Sequence, residues 1–122
     1  MQCGTTRFFA CIVASLMGIA PAGAHAVLDH AMPSVGGTIT SSPQEVRLRF
    51  SERVEPAFSG VQLSTAQGQP ITTPAAKFDP GDSAQLVLQV PPLAPGRYKV
   101  TWHVVSADTH RTQGDYVFEI KP

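Results

Sequence analysis

The chain has 122 residues with nine Lys and Arg against nine Asp and Glu, a formal net charge of zero. Such a balance gives no electrostatic footprint for nucleic acid or for an anionic membrane surface. The length suits one small domain with a real core rather than two.

Residues 1–24 have the composition of a secretory signal peptide. Arg7 supplies the positive start, and Phe8 to Ala20 is almost wholly apolar. Ala22-Gly23-Ala24 then fits a small-x-small cleavage site. The apolar run is shorter than the ~20 residues that span a bilayer. Phe8-Phe9-Ala10 ahead of Cys11 does not resemble a lipobox. Cleavage after Ala24 is therefore expected to leave residues 25–122 as an exported domain starting at His25. Both cysteines, Cys3 and Cys11, leave with the leader. The remaining domain has no disulfide and no thiolate, and packing must hold it.

The rest of the chain is patterned as β-structure. Glu45–Phe50 alternates, with Val46, Leu48 and Phe50 on one face. Gly60–Ser64 alternates in the same way, and Gln85–Val90 is more continuously apolar, as for a buried strand. Arg97–Val105 sets Tyr98, Val100, Trp102 and Val104 against Lys99, Thr101, His103 and Val105. Asp115–Lys121 closes the chain. Between these runs lie Gly36-Gly37, Ser42-Pro43, Gln67-Gly68-Gln69-Pro70, Asp79-Pro80-Gly81-Asp82 and Ala94-Pro95-Gly96, all turn chemistry. No stretch after the leader has a helical period, and the spacing of the runs predicts an all-β sandwich. Leu93 to Tyr98 has the form of a tyrosine corner, in which the Tyr hydroxyl reaches backbone a few residues upstream; an ordinary core tyrosine after a Pro-Gly turn is the equal alternative. Trp102 is expected in the core.

The residues with chemistry lie at the two ends of this domain. Asp108 and His110 are two apart, and in extended backbone such residues share a face. They would make half of a metal site. His25, once it is the first residue, offers an imidazole and an α-amine, with ordinary pKa values of about 6.5 and 7.7–8, so a metal can displace both protons near neutrality. Three nitrogens and one carboxylate oxygen suit Cu(II), with Zn(II) as the competing ion.

His25-Ala26-x-Leu28, Pro33, Gly36, Phe50-Ser51-Glu52, Gly96-x-Tyr98-x-Val100-x-Trp102-x-Val104-Val105-Ser106-x-Asp108-x-His110 and Gly114 together resemble the CopC copper-resistance proteins. The resemblance covers the whole domain after the leader. It implies a periplasmic, immunoglobulin-like Greek-key β-sandwich that binds Cu(II) through His25, Asp108 and His110. The family's Phe-Ser-Glu acid, which some members place close to the copper, maps onto Glu52; here Glu52 is read as reaching the outer shell of the metal at most, and a solvated acid at a strand end is at least an equal reading of that residue. A copper carrier or buffer of this kind would pass its ion to a CopD-like inner-membrane protein or a multicopper oxidase, and would not be an enzyme. Some members carry a methionine-rich Cu(I) site. Here only Met32 remains after the leader, so a site of that kind is not expected. His103, opposite Trp102, reads as an exposed histidine. His30, five residues after His25, is expected to point away from it.

Two other readings compete. An N-terminal His paired with a second His also resembles the histidine brace of copper monooxygenases, although a carboxylate completing the site leaves little open coordination for oxygen. A structural sandwich module with incidental histidines is the third.

Overall fold

A computed structural model describes residues 26–122. The leader and His25 lie outside the described residues. Among the described residues nine strands form two sheets: β1 (Leu28–Met32), β2 (Thr38–Ile39), β3 (Glu45–Phe50), β4 (Gly60–Thr65), β5 (Pro70–Ile71), β6 (Lys77–Asp79), β7 (Asp82–Gln89), β8 (Gly96–Val105) and β9 (Arg111–Ile120). Among the described residues the helical content is one 3-10 turn, Pro56–Phe58.

The four-stranded sheet has the order β1-β3-β7-β6, and the five-stranded sheet β2-β9-β8-β4-β5. In chain order the strands cross repeatedly from one sheet to the other, which is the connectivity of a Greek-key sandwich. The alternation in β3 places Val46, Leu48 and Phe50 in the interior. In β8 the inward set is Tyr98, Val100, Trp102 and Val104, as their spacing predicts. They meet Leu86 and Leu88 of β7 and Tyr116, Phe118 and Ile120 of β9 in one core. Phe50 and Trp102 join the two sheets edge to face, with ring centroids 5.2 Å apart.

The tyrosine corner is formed: the Tyr98 hydroxyl donates to the Ala94 carbonyl at 2.5 Å. Tyr116 differs. Its hydroxyl is buried and finds no hydrogen-bond partner among the described residues, and burial pushes the phenol well above its ordinary range. An unsatisfied buried hydroxyl costs about 1–3 kcal/mol, so Tyr116→Phe should stabilise the domain by about 1 kcal/mol in urea unfolding.

Gly114 of β9 pairs with Trp102 of β8, and the indole lies over it. A Cβ at position 114 would sit 2.6 Å from Trp102 Cζ2 and 2.9 Å from Cε2. The ring is buried and its partner Phe50 blocks a simple retreat. Gly114→Ala should therefore destabilise the domain by about 2 kcal/mol, within the usual cost of overpacking a core. Thermal unfolding beside the wild type measures it.

Candidate metal centre

The longest hairpin, β8–β9, carries Asp108 and His110 in its turn. Ser106 N–H donates to the His110 carbonyl and Thr109 N–H to the Ser106 carbonyl, both at 2.9 Å. Thr109 is in the left-handed region, at φ 73°. A turn closed by one left-handed residue is a standard way to end a hairpin, and glycine is the residue that adopts it without cost. A β-branched residue there is strained by roughly 1–2 kcal/mol. Thr109→Gly should return about 1 kcal/mol of stability once the larger unfolded-state freedom of glycine is subtracted. Urea unfolding of the metal-free protein checks this.

This turn brings Asp108 and His110 together, but by a different route from the one expected. They do not share a face of an extended strand. The chain reverses at Thr109, and that reversal sets His110 Nδ1 3.0 Å from Asp108 Oδ2. Asp108 Oδ1 accepts a short hydrogen bond from the hydroxyl of Ser106, which is completely buried. The hydroxyl of Ser106, and after it His110, hold the Asp108 carboxyl below its ordinary range. Asp108 is thus an anion of fixed orientation. Ser106 is the positioning residue that the sequence reading left without a role. Its place two residues before an aspartate, where a hydroxyl can reach the side chain, was the available signal.

Two other segments converge on the turn. The stretch after β3 lies against it: Val54 forms a bridge with Ser106, and Ala107 N–H donates to the Arg53 carbonyl at 3.0 Å. Glu52 belongs to this stretch and is half-buried. The start of the described chain is held at the same end. Thr112 Oγ1, two residues beyond His110, donates to the Ala26 carbonyl at 2.8 Å, and Ala26 is fully buried. Val27 N–H donates to Ser51 Oγ at 2.9 Å, and Ser51 N–H to the Val27 carbonyl at 2.8 Å.

Among the described residues no group of three or more His, Cys, Asp and Glu side chains is assembled to hold a metal. Asp108 and His110 are a pair, joined to each other across the turn. The third expected ligand, His25, lies outside the described residues. The other two histidines are elsewhere. His103 is on the outer face of β8, packed over Gly60, where a Cβ would meet its ring at 2.6 Å. His30 is exposed on β1. A bulge between Leu28 and His30 interrupts the alternation on which its expected direction rested.

Residues 28–121 match the family model described as the CopC domain. The chain is 42% identical to the protein YobA of Escherichia coli K12 over 99 residues, covering 80% of each. It is 34% identical to copper resistance protein C of Pseudomonas syringae pv. tomato over 127 residues, covering 99% of this chain and all of that one. Among solved structures, CopC from Methylosinus trichosporium OB3b superposes with a TM-score of 0.76 at 36% identity, covering 80% of this chain and 95% of that one. The matched region spans both sheets and the Ser106–His110 turn, and the chain belongs to the CopC family.

Proposed function

We propose that this protein binds a single Cu(II) ion in the periplasm and serves there as a copper carrier or buffer. Residues 1–24 are removed as a signal peptide. The ion is held by the α-amine and imidazole of His25, the carboxylate of Asp108 and the imidazole of His110. Copper is cargo in this reading, not a resident cofactor of a reaction.

The observation that carries the proposal is the 2.8 Å bond from Thr112 to the Ala26 carbonyl. It holds the residue after His25 against β9, two residues from His110. Consecutive Cα atoms are about 3.8 Å apart, so this bond supports a ligand role for the residue that precedes Ala26. The donor set fits the ion. Three nitrogens with one anionic oxygen favour Cu(II), which heads the divalent affinity order. An Asp108 that is already anionic and oriented needs no proton released at that position.

The protein's own residues then have distinct parts. Asp108 and His110 bind, Ser106 orients Asp108, and Thr112 and Ser51 hold the start of the domain in place. Glu52 sits in the segment laid against the turn and is a candidate for an outer-shell carboxylate. The names of the relatives in Pseudomonas syringae and Escherichia coli, copper resistance protein C, support copper as the ion. Transfer to a CopD-like membrane protein or a multicopper oxidase is the step such a carrier would serve. Among the described residues no helix is long and apolar enough to cross a membrane.

The test is a copper titration of the form starting at His25, followed by electron paramagnetic resonance. One equivalent of Cu(II) should bind with a tetragonal spectrum showing nitrogen coupling. Stoichiometric Zn(II) binding with weak, heterogeneous Cu(II) spectra would contradict it.

A further inference from the structure

The outer face of the five-stranded sheet carries a group of side chains that the metal turn does not use. In β8 the interior takes Tyr98, Val100, Trp102 and Val104, so His103 and Val105 point outward. Residues directly opposite each other on an antiparallel pair share a face. Gln113 lies opposite His103 and Arg111 opposite Val105, so all four stand on that outer face. The His103 ring leans over Gly60 of β4, away from β9. An open hollow of about 610 Å³ remains, lined by Phe58, His103, Val105, Arg111, Thr112 and Gln113. That volume is within the about 300–1,000 Å³ typical of ligand clefts.

Phe58 is held in place beside this hollow. It ends the 3-10 turn Pro56–Phe58, in which no residue is buried. The turn is tied to the end of β8 on both sides. Glu55 N–H donates to the Val105 carbonyl at 2.7 Å. Ser59 Oγ accepts from Val105 N–H at 3.2 Å and donates to the Glu55 carbonyl at 2.6 Å. Phe58 is nevertheless 65% exposed, more than any other large apolar side chain among the described residues. A single exposed apolar residue is ordinary on a protein surface. A fixed ring lining the same hollow as a guanidinium has the composition of a binding hot spot, where aromatic residues and Arg are enriched.

The charge of the hollow has one sign. Arg47, Arg49, Arg97 and Lys99 each pair with a carboxylate. Arg111 has no ion-pair partner among the described residues. The acids nearby in sequence are engaged elsewhere: Asp115 with Lys99 at 3.5 Å, and Asp108 with His110 at 3.0 Å. Glu55 precedes the Phe58 turn but does not line the hollow. An occupant that satisfies these groups brings a carboxylate to Arg111, whose guanidinium can take it in two parallel hydrogen bonds. It brings an apolar side chain to Phe58 and Val105. The hollow is open along the sheet face, which suits a protein surface laid over it rather than an enclosed small molecule. It also adjoins the metal turn. Arg111 follows His110 directly, and Thr112, which lines the hollow, holds the Ala26 carbonyl.

We propose that the hollow between Phe58 and Arg111 docks a protein partner through a segment presenting a carboxylate beside an apolar side chain. That such a partner would meet copper at the adjoining turn rests on the reading given above; the docking itself does not.

The test uses the metal-free form starting at His25. The probe is the peptide acetyl-Asp-Phe-amide, with acetyl-Asn-Phe-amide as its neutral counterpart. The expected result is millimolar binding that shifts the Phe58 ring, the Arg111 Nε–H and the Gln113 side-chain amide resonances together. The neutral peptide should bind at least about threefold more weakly. Arg111→Gln should remove that difference, and Phe58→Ser should weaken both peptides by at least about threefold. Both side chains are exposed, so the variants keep the fold. Shifts that fall outside the hollow would overturn the proposal. So would equal binding of the two peptides to the wild type. Sodium acetate alone giving the same shifts at the same concentration would show a small-anion site in place of a docking surface, and would also overturn it. No copper is present in these measurements, so a failed copper titration would refute the earlier reading and leave this one standing.

Discussion

His110→Ala should weaken Cu(II) binding by more than about 100-fold, because losing even an outer-shell partner of a metal ligand costs about 10–100-fold. His103→Ala should leave the affinity within about twofold, the scatter expected of a distant surface change. The contrast follows from placement. His110 closes the β8–β9 turn with its Nδ1 3.0 Å from Asp108 Oδ2. His103 lies on the outer face of β8 over Gly60. Both are exposed imidazoles, so a nonspecific histidine effect would appear equally in the two variants. Equal losses would remove His110 from the site. Competition against a copper chelator of known affinity is the measurement. Its pH dependence is a second check. Asp108 is held below the ordinary carboxylate range, first by the Ser106 hydroxyl. It therefore stays anionic as pH falls from neutrality, so its protonation does not set the loss. Affinity should fall as pH drops, because protons compete for the nitrogen donors.

The strands legible in the sequence are those that bury one face cleanly. β3 was read with its observed bounds, and β8 to within one residue, because each alternates apolar inward and polar outward without interruption. β1 was missed because the bulge at Leu28/His30 breaks that alternation. β2, β5 and β6 span two or three residues and carry no period. The start of β9 was missed for a different reason. Arg111 to Gly114 puts no large apolar side chain inward, and the space above Gly114 is filled by Trp102 from the neighbouring strand. Local pattern cannot register a position whose core contribution comes from its partner.

The site divides in the same way. Asp108 and His110 were legible as a pair because they are close in sequence. The left-handed Thr109 that brings them together was not, since threonine rarely adopts it. The bonds from Thr112 to Ala26 and between Ser51 and Val27 connect residues far apart in the chain. They follow from the sandwich topology, which sets the start of the domain beside its last hairpin. The role of Ser106 became visible only with its burial beneath Asp108.

The central claim is that the site exists only when His25 is the first residue. Two of the four proposed donors come from that residue, and one is its α-amine. In the precursor this nitrogen is an amide, a much poorer donor. One added residue moves the free amine away and breaks the amine–imidazole chelate. The fold does not change, because both sheets lie within residues 26–122. The direct measurement compares Cu(II) affinity and the paramagnetic spectrum of the form starting at His25 with those of a form carrying one extra residue before it. The extended form should bind Cu(II) more weakly by at least about 100-fold, and its nitrogen coupling pattern should change. Equal affinity with an unchanged nitrogen pattern would mean that the α-amine is not a ligand, and would contradict the account.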